Sequence, residues 1–317
     1  MTVLLLTCRD DFYVPELVVD AVRALGLPVL RVDSDLFPGV HALSIDDAGR
    51  WHLEAAGVVV DDVTAVWCRR RWPGAGLTVD ERWRAGCVAQ GQRLMGAWLR
   101  ALGGRVVNDV DAEDAAEDKV LQLRVARGLG FQIPETLISN DPARVRAFVD
   151  VVRRGGGRVI TKLLAPLLSS MQAADGFFYT ANVDDDDLSH VADVIHAPQI
   201  FQRAIDKTLE LRVQVVGATE QEAQVFCGAL PATVQDWRLQ QGARWQHHTL
   251  STTTTARCRA LIQSLGLVTG AIDLLVDGEG REWFLEVNPA GEWGFLQAEL
   301  GLPIAEALAR VLSARAC

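Results

Sequence analysis

Lysine is nearly absent from this chain. Only three of its 31 basic residues are lysine, Lys119, Lys162 and Lys207, and the other 28 are arginine. Lysine is a compact, flexible point charge and arginine a planar fork. A chain drifted to arginine therefore keeps lysine where a narrow anion pocket requires it. Codon bias accounts for the arginine excess but not for where the lysines stay. Positive charge is also short overall: the formal net charge is −10, which argues against a general nucleic-acid or membrane-surface binder. No apolar run approaches the length of a membrane span. The start, MTVLLLTCRDDFYVP, reads as a short strand followed by acids, not as a signal peptide. Six cysteines (Cys8, Cys68, Cys87, Cys227, Cys258, Cys317) lack CxxC spacing, so neither zinc nor a disulfide framework is expected. A reduced, cytoplasmic location is the default. There is no internal repeat and no low-complexity linker.

What remains is a globular chain of 317 residues, 49% hydrophobic, long enough for two or three subdomains. Residues 1–105 alternate strand and helix, which favours a mostly parallel α/β sheet. Val106-Val107-Asn108 opens a second unit reaching residue 198. It holds one helix, Asp111 to Leu129, that carries Lys119, and a strand around Lys162 after the turn Gly155-Gly156-Gly157. Residues 199–317 are strand-rich through Leu230, then hairpin and terminal helix. Asp184 to Asp187 reads as a solvated helix start rather than a metal site. Thr252 to Thr255 reads as the N-cap region of a helix.

The most informative stretch is AIDLLVDGEGREWFLEVNPAGEW, Ala271 to Trp293. Two apolar runs flank Asp277-Gly278-Glu279-Gly280 and read as a β-hairpin. Side chains alternate along a strand, so Glu286 and Asn288 share a face. A two-residue loop, Glu279-Gly280, would set Asp273 opposite Glu286 on that face, whereas an odd-length loop would reverse it. Two carboxylates and an amide then converge inside an apolar hairpin, an oxygen set suited to Mg²⁺ with places left for water and phosphate. The alternative is an exposed face with scattered acids. Lys162 shares a strand face with Ile160 and Leu164, and a lysine there needs an anion or a lowered pKa. The alternative is an edge lysine that snorkels.

The order lysine on a helix, lysine on a strand, loop, strand pair, then Asp…Glu-x-Asn resembles the ATP-grasp superfamily from Asn108 onward. The resemblance implies an ATP-grasp fold, α+β, behind an N-terminal α/β pre-grasp domain, with ATP and Mg²⁺ as cofactors. It gives Lys119 and Lys162 to the phosphates and adenine region. Residues 164–180 would be a mobile loop over the phosphates, and Phe201 to Ile205 the adenine hinge, through Gln202, Arg203, Ala204 and Ile205. Glu210 would lie near the ribose, Arg212 would stabilise the transferring phosphoryl group, and Asp273, Glu286 and Asn288 would hold two Mg²⁺ ions.

Closer still, Ala65-Val-Trp-Cys-Arg-Arg70, Pro198 to Gly217, Asn288-Pro-Ala-Gly-Glu-Trp293 and Gly301-Leu-Pro-Ile304 resemble the graspetide synthetases, the microviridin-type MvdC/MvdD-like maturases. Asp118 and Cys68 depart from the residues common there. That resemblance implies a ligase that phosphorylates Glu or Asp side chains of a ribosomal precursor peptide. A Thr or Ser hydroxyl, or a Lys amine, then displaces phosphate to form an ω-ester or ω-amide ring. The partner would be a precursor with a leader and an acidic, Thr-rich core, and the oligomer a homodimer. Arg69, Arg70 and Arg71 at a strand end, with Asp236, Arg238 and Arg244, are the expected contacts to an acidic peptide. His247 and His248 are candidates for a general base by residue type alone. The rivals are a RimK-like carboxylate–amine ligase acting on a terminus, and a non-catalytic, nucleotide-gated binding protein. The Lys, Arg and Mg²⁺-ligand set argues against the second.

Overall fold

The computed structural model describes residues 2–11, 13–55, 57–60, 62–72, 74, 76–164, 180–232 and 244–316. The chain begins with β1 (Thr2–Thr7), α1 (Tyr13–Ala24), β2 (Val29–Asp33) and a small antiparallel sheet of β3 (Ala42–Ile45), β4 (Trp51–Ala55) and β5 (Val58–Val60). Next come β6 (Val63–Cys68), α2 (Glu81–Leu102) and β7 (Val106–Val107). β2, β1, β6 and β7 form a parallel sheet in that order. The continuous apolar run of β1 follows from burial on both faces. Val3 and Leu5 enter one core with α1, while Leu4 and Leu6 enter another with Met95, Trp98 and Leu99 of α2. Val106-Val107, expected to open the second unit, is instead the last strand of the first sheet. It pairs parallel with β6, so the first unit reaches past residue 105.

The expected single helix from Asp111 to Leu129 is two: α3 (Val110–Ala116) and α4 (Lys119–Gly128). Asp118 is the reason for the break, because its carboxylate accepts Val120 N–H at 2.8 Å and Leu121 N–H at 3.2 Å as the N-cap of α4. Lys119 thereby becomes the first residue of a helix. There follow β8 (Thr136–Ser139), α5 (Pro142–Arg154), β9 (Val159–Leu163), β10 (Ala181–Asn182), α6 (Asp185–Ser189) and β11 (Gln199–Arg203). Their antiparallel sheet runs β10-β9-β11-β8. One face packs Leu137, Val159 and Phe201 on Val145, Val149 and Val152 of α5. The other carries Thr136, Ile160, Lys162, Ile200 and Gln202. Asp184 and Asp187 close a capping box at the start of α6, as expected of a helix start.

The last unit contains β12 (Lys207–Val216), β13 (Gln224–Pro231), β14 (Gln246–His247), α7 (Thr252–Ser264), β15 (Thr269–Asp277), β16 (Glu282–Asn288), α8 (Gly294–Leu300) and α9 (Ile304–Ala316). Its antiparallel sheet runs β14-β13-β12-β15-β16. Leu211, Val213, Ile272, Leu274, Phe284 and Val287 bury one face against α4 and α7. α9 returns to the first unit, where Ile304, Leu308 and Leu312 share a core with α1 and β1.

Two buried amides fasten the units. Asn108 Oδ1 accepts Val268 N–H and Thr269 N–H at 2.9 Å each, and its Nδ2 donates to Thr269 O. Gln122 of α4 serves the outer edge of β16 as a strand would, taking Val287 N–H at 2.9 Å and giving Nε2 to Val287 O at 2.8 Å.

Candidate active site

The hairpin places the carboxylates by a route the sequence did not suggest. Asp277 N–H donates to Arg281 O at 3.1 Å. The loop is therefore three residues, Gly278-Glu279-Gly280, with Gly280 at φ +77° in the left-handed position such loops require. The Asp277 carboxylate fixes this turn by accepting Glu279 N–H, Arg281 N–H and Trp283 Nε1–H. An odd loop alone would throw Asp273 and Glu286 onto opposite faces. A β-bulge corrects it: Leu274 pairs with Phe284 but Asp273 pairs with Glu286, leaving Leu285 as the extra residue. Phe284 stays in the core while Asp273, Glu286 and Asn288 share the opposite face.

Across the sheet, Glu286, Asp273, Arg212, Gly228 and His247 form one row through β16, β15, β12, β13 and β14. Arg212 Nη1 lies 3.2 Å from Asp273 Oδ1. That contact is an ion pair by distance without hydrogen-bond direction, so among the described residues Arg212 Nε and Nη1 are buried donors lacking a hydrogen-bond partner. Buried guanidinium donors without acceptors are costly, and an anion in the cleft would satisfy them. His247 does not join the site. A Cβ at Gly228 would lie 2.4 Å from Leu296 Cδ2, so α8 covers the row between Arg212 and His247.

Lys119 Nζ donates to Glu286 Oε2 at 2.8 Å. Lys162 rises from the central sheet and reaches Gln202 Oε1 at 3.3 Å, while Gln202 Nε2 is tied to Thr136 Oγ1 at 2.9 Å. Burial lowers the Lys162 pKa, against the pull of Glu286 and Asp273. Burial and the Glu286 charge hold Asp273 above the usual carboxylate range despite Arg212. Burial acts the same way on Glu286, but Lys119 and Lys162 outweigh it and its pKa is lowered. Lys119, Lys162 and Arg212 thus stand close to Asp273 and Glu286, a mixed set of charges whose chemistry suits a divalent ion and phosphates. Among the described residues no group of three His, Cys, Asp or Glu side chains converges. The donor set of two carboxylates and an amide fits Mg²⁺ that shares its remaining positions with phosphate.

Lys207 was not assigned a role from sequence. A register shift between Lys207 and Leu209 turns it onto the face of Glu210, where Nζ donates to Oε1 at 2.7 Å. Without that bulge, residues three apart on a strand would point to opposite faces. In the hinge, Arg203 N–H is taken by Glu135 O and Ala204 N–H by Arg158 O. The Arg203 side chain faces away from the cleft, opposite Val159, and pairs with Glu135 at 3.2 Å.

The arginines expected to meet a peptide are divided. Arg69 is buried between Asp11 and Glu292, so its expected role as a peptide contact gives way to a structural one. Arg70 Nη1 donates to Ala290 O, and Arg71 pairs with Asp114 at 2.6 Å. Arg244 is exposed. Asp236, Arg238 and residues 165–179 of the expected phosphate loop lie outside the described residues. Sequence reasoning missed Gln122, Asp11 and Glu292. A glutamine three residues after Lys119 and an acid after Ala-Gly are unremarkable until their partners are known.

Residues 2–114 match the MvdD pre-ATP grasp domain. The whole structure is similar to macrocyclase MdnB from Microcystis aeruginosa MRC, with 34% identity and a TM-score of 0.83 over 98% of each chain. The chain belongs to the graspetide synthetases, a family of ATP-grasp ligases. This graspetide synthetase is also similar to macrocyclase MdnC of the same organism, solved with precursor peptide MdnA. There the identity is 30% and the TM-score 0.90, covering 99% of this chain and 100% of that one. The Chryseobacterium gregarium RiPP-associated ATP-grasp ligase, in complex with ADP and a leader and core peptide, shares the fold. Its identity is 23% and its TM-score 0.87, over 99% of this chain and 97% of that one. No curated protein sequence matches. No helix among the described residues of the graspetide synthetase is long and apolar enough to cross a membrane.

Proposed function

We propose that this graspetide synthetase is an ATP-dependent peptide macrocyclase that joins Glu or Asp side chains of a ribosomal precursor to Thr or Ser hydroxyls or Lys amines. The carrying observation is Arg212, whose buried Nε and Nη1, beside Asp273 and Glu286, lack hydrogen-bond acceptors among the described residues. A pure nucleotide-binding protein has no need of such a cation at the point of phosphoryl transfer. A carboxylate oxygen of the peptide attacks the γ-phosphorus and ADP leaves. The hydroxyl or amine then attacks the acyl carbon and phosphate leaves, so the peptide loses one water per bond. Lys119 and Lys162 hold phosphates, Glu210 faces the ribose, and the backbone of Ala204 and Ile205 meets the adenine edge. Arg212 neutralises charge on the transferring group. Asp273, Glu286 and Asn288 would hold Mg²⁺, which supplies charge neutralisation and alignment of the phosphates. Ring closure then needs mainly proximity, an effect able to supply roughly 7–11 kcal/mol.

Arg70, Arg71 and Arg244, with Asp236 and Arg238, are the proposed surface for an acidic core peptide. The division into a pre-grasp unit and two grasp subdomains, a homodimer, and a reducing cytoplasmic setting complete the reading.

The test is mass spectrometry of the protein with Mg-ATP and the acidic precursor peptide encoded beside its gene. Loss of one water per bond with ADP release is expected, and tandem spectra separate ester from amide. A mass gain from added amino acids would instead point to terminal ligation.

A further inference from the structure

The first unit grips the loop that follows Asn288. Arg69, at the end of β6, has a side chain only 2% exposed. Its Nε donates to Asp11 Oδ2 at 2.8 Å, its Nη2 to Glu292 Oε2 at 2.6 Å, and its Nη1 reaches Gly291 O at 3.5 Å. Arg70 Nη1 donates to Ala290 O at 3.2 Å. Asp11 is braced by Thr7 Oγ1 at 2.7 Å. The second oxygen of Glu292 accepts Trp293 N–H at 3.1 Å and Gly294 N–H at 2.8 Å, which binds the loop to the start of α8.

Little slack separates this grip from the cleft. Gly291 N–H donates to Asn288 O at 3.1 Å. A Cβ at Gly291 would come within 2.5 Å of Ala271 Cβ, and Ala271 is the strand partner of Asn288. The loop therefore lies flat on β15, and a shift of Ala290 or Gly291 moves Asn288 with it. Exposed ion pairs contribute little. Arg69 is a buried fork between two carboxylates, a geometry that fixes direction as well as distance.

We propose that Arg69 and Arg70 are positioning residues that hold Asn288 at the metal–nucleotide site, so that the first unit sets the affinity for the divalent ion. This rests on the reading of Asp273, Glu286 and Asn288 as ligands. Outer-shell partners of this kind act by orienting the ligand they touch.

The test is calorimetric titration of the full-length protein with ADP, without metal and across a MgCl2 series. In Arg69→Lys and Glu292→Gln the Mg²⁺ concentration giving half-maximal enhancement of ADP binding should rise about tenfold, the lower end of what an outer-shell loss costs. Arg70→Ala should raise it by a smaller factor. Metal-free ADP binding should stay as in the parent. ADP binding weakened alike with and without Mg²⁺ would overturn the proposal, as would an unchanged Mg²⁺ dependence. If Arg69→Lys fails to fold, Arg70→Ala and Glu292→Gln, whose side chains are partly exposed, decide it. Asn288→Ala separates the two levels. If it binds Mg-ADP like the parent, the ligand reading fails and the proposal with it. If it alone loses the Mg²⁺ response, only the positioning role fails.

Discussion

Lys119 Nζ donates to Glu286 Oε2 at 2.8 Å although 167 residues separate them in the chain. Gln122, one helical turn further along α4, makes that meeting possible by taking the edge of β16 at Val287. Lys119 thus has its charge aimed into the cleft before any phosphate arrives. Lys119→Met should raise the KM for ATP about tenfold, the equivalent of roughly 1.4 kcal/mol. Initial rates of ADP release over an ATP series measure it, and an unchanged KM would remove Lys119 from the nucleotide site.

Gln122→Leu should be destabilising, because it leaves Val287 N–H and C=O buried without partners. A cost of about 2–3 kcal/mol is expected, read from the midpoint of urea unfolding. Nucleotide affinity should fall in parallel as α4 loosens, whereas Lys119→Met should spare stability.

Arg212→Lys replaces a fork by a point charge. Crosslinking should slow by about 10²–10³-fold, as for the loss of one transition-state donor, while ADP binding by calorimetry persists. Retained crosslinking would show that the Arg212 guanidinium has another purpose.

Glu113 is pushed up to about 7 by burial, against the pull of Arg71 and Asn108. The folded protein therefore holds a proton that the unfolded chain releases near pH 4.5, the ordinary value for glutamate. With more protons bound in the folded state, stability falls as pH rises. The contribution is full below about 4.5 and lost as pH passes about 7. Urea midpoints measured from pH 5 to pH 7.5 should decline in the parent and decline less in Glu113→Gln.

Much of the site was legible because its logic is local. The sharing of a face by Glu286 and Asn288 follows from strand alternation. The three lysines stood out by rarity, and the structure brings Lys119, Lys162 and Lys207 to the neighbourhood of the same cleft. What was misread turned on single residues with non-local effects. Asp118 reads as an interior helix residue until its carboxylate is seen to cap α4. Arg69 reads as a surface cation until Asp11 and Glu292 close over it. The hairpin was anticipated with Asp273 opposite Glu286, and they do face each other. They do so through two departures that cancel, an odd loop and a bulge at Leu285.

By itself the sequence determined the strand and helix periods, the oxygen donors and the cations, because these depend on residue type and spacing of a few positions. The tertiary structure alone decided which cations are free to meet a ligand. Arg69 and Arg212 are both buried arginines, and nothing in their neighbours along the chain distinguishes them. Arg69 is satisfied by carboxylates from two distant segments, while among the described residues two Arg212 donors are left without a hydrogen bond. Hydrogen-bond satisfaction is a property of what packs around a group in space, and that is set by the docking of the units upon one another.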